Sequence, residues 1–156
     1  MTVPIRHLST KTFGHDRGLS AAFRQWRADS HCNLIHGYAL SFTFTFGSTE
    51  LDDRNWVVDF GSLKALEQWL RDTFDHKTLV ALDDPHYGLF CEMHSLRLID
   101  MIAVKGVGCE MFAKMAFDKA DELIREQYGT RCWIEEVEVK EHGSNSAIAA
   151  RDGEWE

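Results

Sequence analysis

Nowhere in the 156-residue sequence is there an apolar run approaching the roughly 20 residues that a membrane-spanning helix needs, and the N-terminal stretch MTVPIRHLSTKTF has no signal-peptide core. A cytoplasmic, membrane-free protein is expected. Basic charge is also scarce: 17 Lys and Arg stand against 25 Asp and Glu, a formal net charge of -8. No Lys/Arg cluster could neutralise a run of phosphates, so nucleic acid is excluded as an expected partner. Cysteine is limited to Cys32, Cys91, Cys109 and Cys132, without a C-x-x-C pair. That usage fits a reducing compartment and free or metal-bound thiols rather than a disulfide framework.

What is present is 44% hydrophobic residues, enough for a single domain over 1–156 that buries roughly two-thirds of its unfolded surface. Tyr38 to Phe46 alternates large apolar residues with Ala, Ser and Thr, the period of a strand with one face on a core. After the polar loop GSTELDDRN, Trp56 to Phe60 resumes an apolar run, and the two segments predict a hairpin. Leu63, Leu66, Leu70 and Phe74 recur at helical spacing and predict a helix over 62–74. A second is predicted from Cys109 to Tyr128, with Phe112, Met115, Ala116, Ala120, Leu123 and Ile124 inward and Gly129 as its stop. Between them Asp83 to Gly108 reads as irregular, with a short helix around Ser95 to Ile102. Cys132 to Lys140 reads as a strand with a bulge, and Ser9 to Phe23 as extended chain interrupted near Gly14 and Gly18.

Chemistry-bearing residues fall into clusters. In His31-Cys32-Asn33-Leu34-Ile35-His36-Gly37-Tyr38 a thiol lies between imidazoles, which favour the thiolate as base, nucleophile or metal ligand; a small buried Cys between surface histidines is the plain alternative. Asp75-His76 follows the first helix, where a carboxylate can orient an imidazole for proton transfer, or where the His merely answers the helix dipole. Glu141-His142 ends the last strand, and a carboxylate there can take a guanidine-like edge through two parallel hydrogen bonds, or simply be solvated. Cys91 and Cys132 are expected in or near the core. His7, His15, His86 and His94 are expected in solvent, and Trp155 in a tail without order.

Taken in order, these segments resemble the 6-pyruvoyl-tetrahydropterin and 6-carboxy-tetrahydropterin synthase family over most of the chain. Leu19-Ser20-Ala21-Ala22-Phe23 is similar to the family's first-strand motif ending in His, and Cys32-x-x-x-His36-Gly37-Tyr38 to Cys-x-x-x-His-Gly-His. Val57-Val58-Asp59-Phe60-Gly61-Ser62-Leu63-Lys64 resembles the stretch opening the first helix, and Asp75-His76-Lys77-Thr78-Leu79 the Asp-His motif. Gly108-Cys109-Glu110 stands where the family has Thr-Ser/Ala-Glu, and Val139-Lys140-Glu141-His142 where it has Val-x-Glu-Thr.

The resemblance implies an α+β tunnelling fold: an antiparallel ββααββ subunit with two helices on one face of the sheet, whose copies join edges into a trimeric or hexameric barrel with sites between subunits. It implies Cys32 as catalytic thiol, Asp75 and His76 as proton relay, and Glu141 with Glu110 as substrate-binding carboxylates. The implied activity is a lyase of tetrahydropterin or deazapurine-precursor biosynthesis acting on 7,8-dihydroneopterin triphosphate. A pterin- or purine-binding protein without lyase activity, or a related hydrolase acting on a guanine-type ring, are the alternatives. The family's zinc is held by three histidines, whose positions here read Phe23, His36 and Tyr38. Phe cannot ligate, and Tyr rarely does because its phenol titrates near 10. Three outcomes stay open: a shifted zinc site using His31 and His36 with Cys32; a metal-free site between Phe23, Tyr38 and Glu141 that Arg24, Gln25 or Trp26 could join; or a scaffold that has lost its chemistry.

Overall fold

The computed structural model describes residues 1–153, so Trp155 lies outside the described residues. The chain forms two four-stranded sheets. In chain order the strands are β1 (His7–Phe13), β2 (Ser20–Phe23), β3 (His36–Ala39) and β4 (Ser41–Ser48). They are followed by α1 (Lys64–Phe74), β5 (Lys77–Ala81), α2 (Tyr87–Ser95), β6 (Met101–Val104), α3 (Cys109–Tyr128), β7 (Cys132–His142) and β8 (Asn145–Ala150). The first sheet, β1-β4-β7-β8, is antiparallel throughout. The second, β3-β2-β5-β6, is mixed, because β2 pairs parallel with β5 and β5 with β6.

The alternating run over 38–46 is therefore not one strand. Leu40, fully buried and bonded through its N–H to the Leu19 carbonyl, is the corner at which the chain leaves the second sheet for the first. Alternation survives the corner, so Phe42, Phe44 and Phe46 all enter the core with no measurable exposure. The expected hairpin between this run and Trp56–Phe60 does not form: β4 pairs with β1 and β7 instead. Local polar groups decide that outcome. Asp52 Oδ1 accepts from the N–H groups of Arg54 and Trp56, and Asp59 caps a 3₁₀ turn over Phe60–Ser62 by accepting from Gly61 N–H. Side-chain acceptors of this kind outcompete a strand ladder for the same donors.

Both long helices appear where their periodicity predicts, and α3 stops at Gly129, whose positive φ of 62° glycine adopts without strain. Helix α3 packs over β7 and β8, and α1 lies against α3. The expected short helix near 95–102 sits earlier, at Tyr87–Ser95, and Met101–Val104 becomes a parallel strand beside β5. Asp84 explains the start of that segment: it accepts from His86 N–H and is clamped by Arg24 through two bonds of 2.8 Å. The anticipated bulge in β7 is real. Thr45 pairs with Glu136 and Phe46 with Ile134, leaving Glu135 as the extra residue. It switches the inward phase from Cys132 and Ile134 to Val137 and Val139, all fully buried.

The two sheets and two helices share one line of rings. Phe42 on β4 meets Phe74 on α1 at 4.8 Å, Phe74 meets Phe112 on α3 at 5.4 Å, and Phe112 meets Phe23 on β2 at 5.1 Å. Aromatic pairs at these separations add directional attraction to area burial. No helix among the described residues is long and apolar enough to cross a membrane.

Candidate active site

The line of rings surfaces at the far end of β2 and β3. Their antiparallel register sets Phe23 opposite His36 and Ala21 opposite Tyr38, which brings the three residues into one cluster. Ring centroids lie 5.2 Å apart for Phe23 and His36, 5.5 Å for His36 and Tyr38, and 6.2 Å for Phe23 and Tyr38. His142, at the end of β7, approaches Tyr38 at 6.2 Å. Gly37 makes the close strand contact possible, since a Cβ there would stand 2.6 Å from the Ala21 carbonyl oxygen.

Glu141 joins from the end of β7, beside Tyr38 and the first residue of α3, Cys109. The Tyr38 phenol is held above its ordinary value, first by burial and then by the negative charge of Glu141. Burial pushes the Cys109 thiol up to about 12, with the charges of Glu141 and Glu110 adding to it. Cys109 is therefore a neutral, packed thiol and not a second nucleophile. Gly108 before it has φ 111°, a conformation that explains glycine where the family carries Thr.

Cys32 sits in a 3₁₀ turn, His31–Asn33, whose backbone is fixed from three directions. Ser30 Oγ accepts from Cys32 N–H at 3.3 Å, the Cys32 carbonyl accepts from Gln25 N–H at 2.9 Å, and the Asn33 carbonyl accepts from Arg24 at 3.2 Å. Arg24 is itself locked to Asp84, so the thiol's position is set by a bidentate ion pair whose carboxylate side chain is 2% exposed. The sequence offers Arg24 only as an accessory contact: an arginine directly after an apolar strand, with Asp83-Asp84 much later, carries no spacing signal that would join them. Trp26 and Arg27 likewise hold Asp83 rather than the site.

Asp75 and His76 pair as expected, Oδ1 to Nδ1 at 2.6 Å, but elsewhere. His76 N–H bonds the Ser20 carbonyl at 2.7 Å, at the opposite end of β2 from Phe23 and the Cys32 turn. Its backbone is left-handed, φ 58°, and its side chain is 87% exposed. The sequence-predicted residues thus fall into two separate groups: Cys32, the rings and Glu141 toward one end of the second sheet, and Asp75-His76 at the other. Cys91, expected near the core, is exposed on α2, whereas Cys132 is buried.

The donor set does not fit zinc. Among the described residues no three His, Cys, Asp or Glu side chains converge to hold a metal ion, and His31, Cys32 and His36 do not gather into a shifted site. His36 alone keeps a ligand's preparation, its Nδ1 bonded to the Leu34 carbonyl at 2.7 Å.

The antiparallel and mixed sheets with their helical layer define a tunnelling-fold chain, and known proteins place it further. The sequence profile of the 6-pyruvoyl tetrahydropterin synthase family matches residues 14–152, and the chain belongs to that family. The 6-carboxy-5,6,7,8-tetrahydropterin synthase of Rickettsia bellii (strain RML369-C) is 31% identical over 65 residues, 41% of this chain and 47% of the relative. That of Aquifex aeolicus (strain VF5) is 29% identical over 70 residues, 45% of this chain and 43% of the relative. The matched segments thus span less than half the length of these curated relatives. Among solved structures, an uncharacterized protein from Wolinella succinogenes superposes with a TM-score of 0.81 at 17% identity, covering 95% of this chain and 99% of that one. The 6-pyruvoyl tetrahydropterin synthase of Plasmodium falciparum follows at 0.66 and 14% identity, covering 94% and 98%. At these identities the superpositions speak for the fold.

Proposed function

We propose that the chain is a pterin-synthase-type lyase acting on a dihydropterin triphosphate such as 7,8-dihydroneopterin triphosphate. The observation that carries this reading is the placement of Glu141: a carboxylate at a strand end beside Tyr38, whose ring is clustered with those of His36 and Phe23. A planar pterin offers a guanidine-like edge to the carboxylate and a face to the rings, which meets both features at once. Cys32 as thiolate would take a proton from the side-chain carbon next to the one bearing the triphosphate, and the triphosphate would leave with the bonding electron pair. Asp75 and His76 would relay protons from a second copy of the chain, because within one copy they lie at the wrong end of β2. Edge strands β1 and β8 of the first sheet, and β3 and β6 of the second, offer the unpaired backbone for such an assembly.

The test is conversion of 7,8-dihydroneopterin triphosphate, followed by release of triphosphate and by the new pterin product. Cys32→Ala is expected to lose turnover while keeping the native oligomer; unchanged turnover would end the thiol mechanism. A second reading, a pterin-binding protein without turnover, is favoured by the rings at the metal position. Ligand binding by the native protein without triphosphate release would select it.

A further inference from the structure

At the positions where the family's three zinc ligands converge, this chain packs a closed set of rings. Tetrahedral zinc needs nitrogen, oxygen or sulfur donors at about 2.0–2.3 Å from one point. Phe23 supplies none, and its ring is 4% exposed and held from behind by Phe112, edge-on at 89°. It cannot swing aside without opening the core. His36 meets Tyr38 edge-on, also at 89°, and Tyr38 meets His142, so the neighbouring polar rings are engaged with one another around Phe23. Burial first, and the nearby charge of Glu141 second, hold the phenol in its protonated form. His31 and Cys32, the residues a displaced metal would need, belong to a turn pinned by Ser30, Gln25 and Arg24 and gather into no donor group.

We propose that this site works without a metal ion: Phe23, His36 and Tyr38 form a ring wall where the family's cation would sit, and a planar heteroaromatic ligand is held by that wall and Glu141 alone. The inference deepens the pterin-site reading but stands on the packing of the rings, so it holds whether or not the ligand is turned over. Its consequence is a protein whose folding and ligand binding are not linked to zinc.

Zinc per chain, measured by mass spectrometry of untagged protein grown with added zinc, is expected to be negligible. The melting temperature and the affinity for 7,8-dihydroneopterin, read by its fluorescence, are expected to be unchanged by a chelator. The double variant Phe23→His/Tyr38→His restores a three-histidine set with His36 and is expected to gain about one zinc per chain. Near-stoichiometric zinc in the native protein, lost in His36→Ala, would overturn the proposal; that measurement decides even if the double variant does not fold. Absence of dihydroneopterin binding in zinc-free native protein would also overturn the proposal, whereas binding by zinc-free protein without triphosphate release would uphold it and retire only the lyase reading.

Discussion

Asp84→Asn would leave the Arg24 guanidinium, 19% exposed, facing an amide that cannot balance its charge. Loss of one partner from such a pair costs about 3 kcal/mol, the low end for buried pairs because Arg24 keeps some water. The expected result is a lower melting temperature and a loosened Cys32 turn, seen as faster alkylation of that thiol. The pair also predicts a pH dependence. Arg24's hydrogen bonds hold the Asp84 carboxyl below its ordinary value despite burial. A depressed folded value stabilises above the unfolded pKa of about 3.9 and is lost as pH falls through the lower folded one. Acid unfolding of the native protein is therefore expected below about pH 4, and the Asn variant is expected to lack that share of the acid limb. The four thiols make a further test: at pH 8 iodoacetamide is expected to label Cys91 and Cys32 in the folded protein, and Cys109 and Cys132 only after unfolding, since burial raises both, Cys109 to about 12 and Cys132 to about 11.

Among elements, β2 and β3 are the pair on which the site depends. Gly37→Ala would drive a methyl group into the Ala21 carbonyl, backbone against backbone, with no flexible side chain to yield. A loss of roughly 1–3 kcal/mol is expected, together with weaker ligand binding, because the clash separates Phe23 from His36. Periodicity made α1, α3 and the broken alternation of β7 legible, although in α3 Met115 and Leu123 are only half-buried and Ala113 joins the core; the interrupted β1–β2 segment was marked by Gly14 and Gly18 rather than by spacing. Two errors share a physical origin. Trp56–Phe60 is apolar but loses its ladder to the Asp52 and Asp59 side chains, and 87–104 divides into helix and parallel strand because Asp84 and strand β5 decide where each begins. Neither an Asx turn nor a parallel neighbour leaves a period in the sequence. The cluster was legible in its parts: Cys32, His36 and Glu141 all lie near Tyr38. That Asp75-His76 lies at the other end of β2 was not, since motif order carries no distance.

At the scale of the whole molecule, the separation of the two groups argues for assembly. If the relay is completed by another copy, Cys32→Ala and His76→Ala proteins, each inactive, are expected to recover partial turnover when unfolded together and refolded as a mixture. No recovery, with mixed oligomers verified by mass, would place the relay outside the reaction. The oligomer itself is expected to be a trimer or hexamer by light scattering, in keeping with four sheet edges that a lone subunit leaves open. Finally, the rings that run from Phe42 through Phe74, Phe112 and Phe23 to Tyr38 make the ring wall and the hydrophobic core one continuous chromophore array. Site and fold share their optical signature as a result: a ligand stacking on Tyr38 is expected to change the coupling of that ring to its fixed neighbours, and near-ultraviolet circular dichroism to register occupancy without any core ring moving.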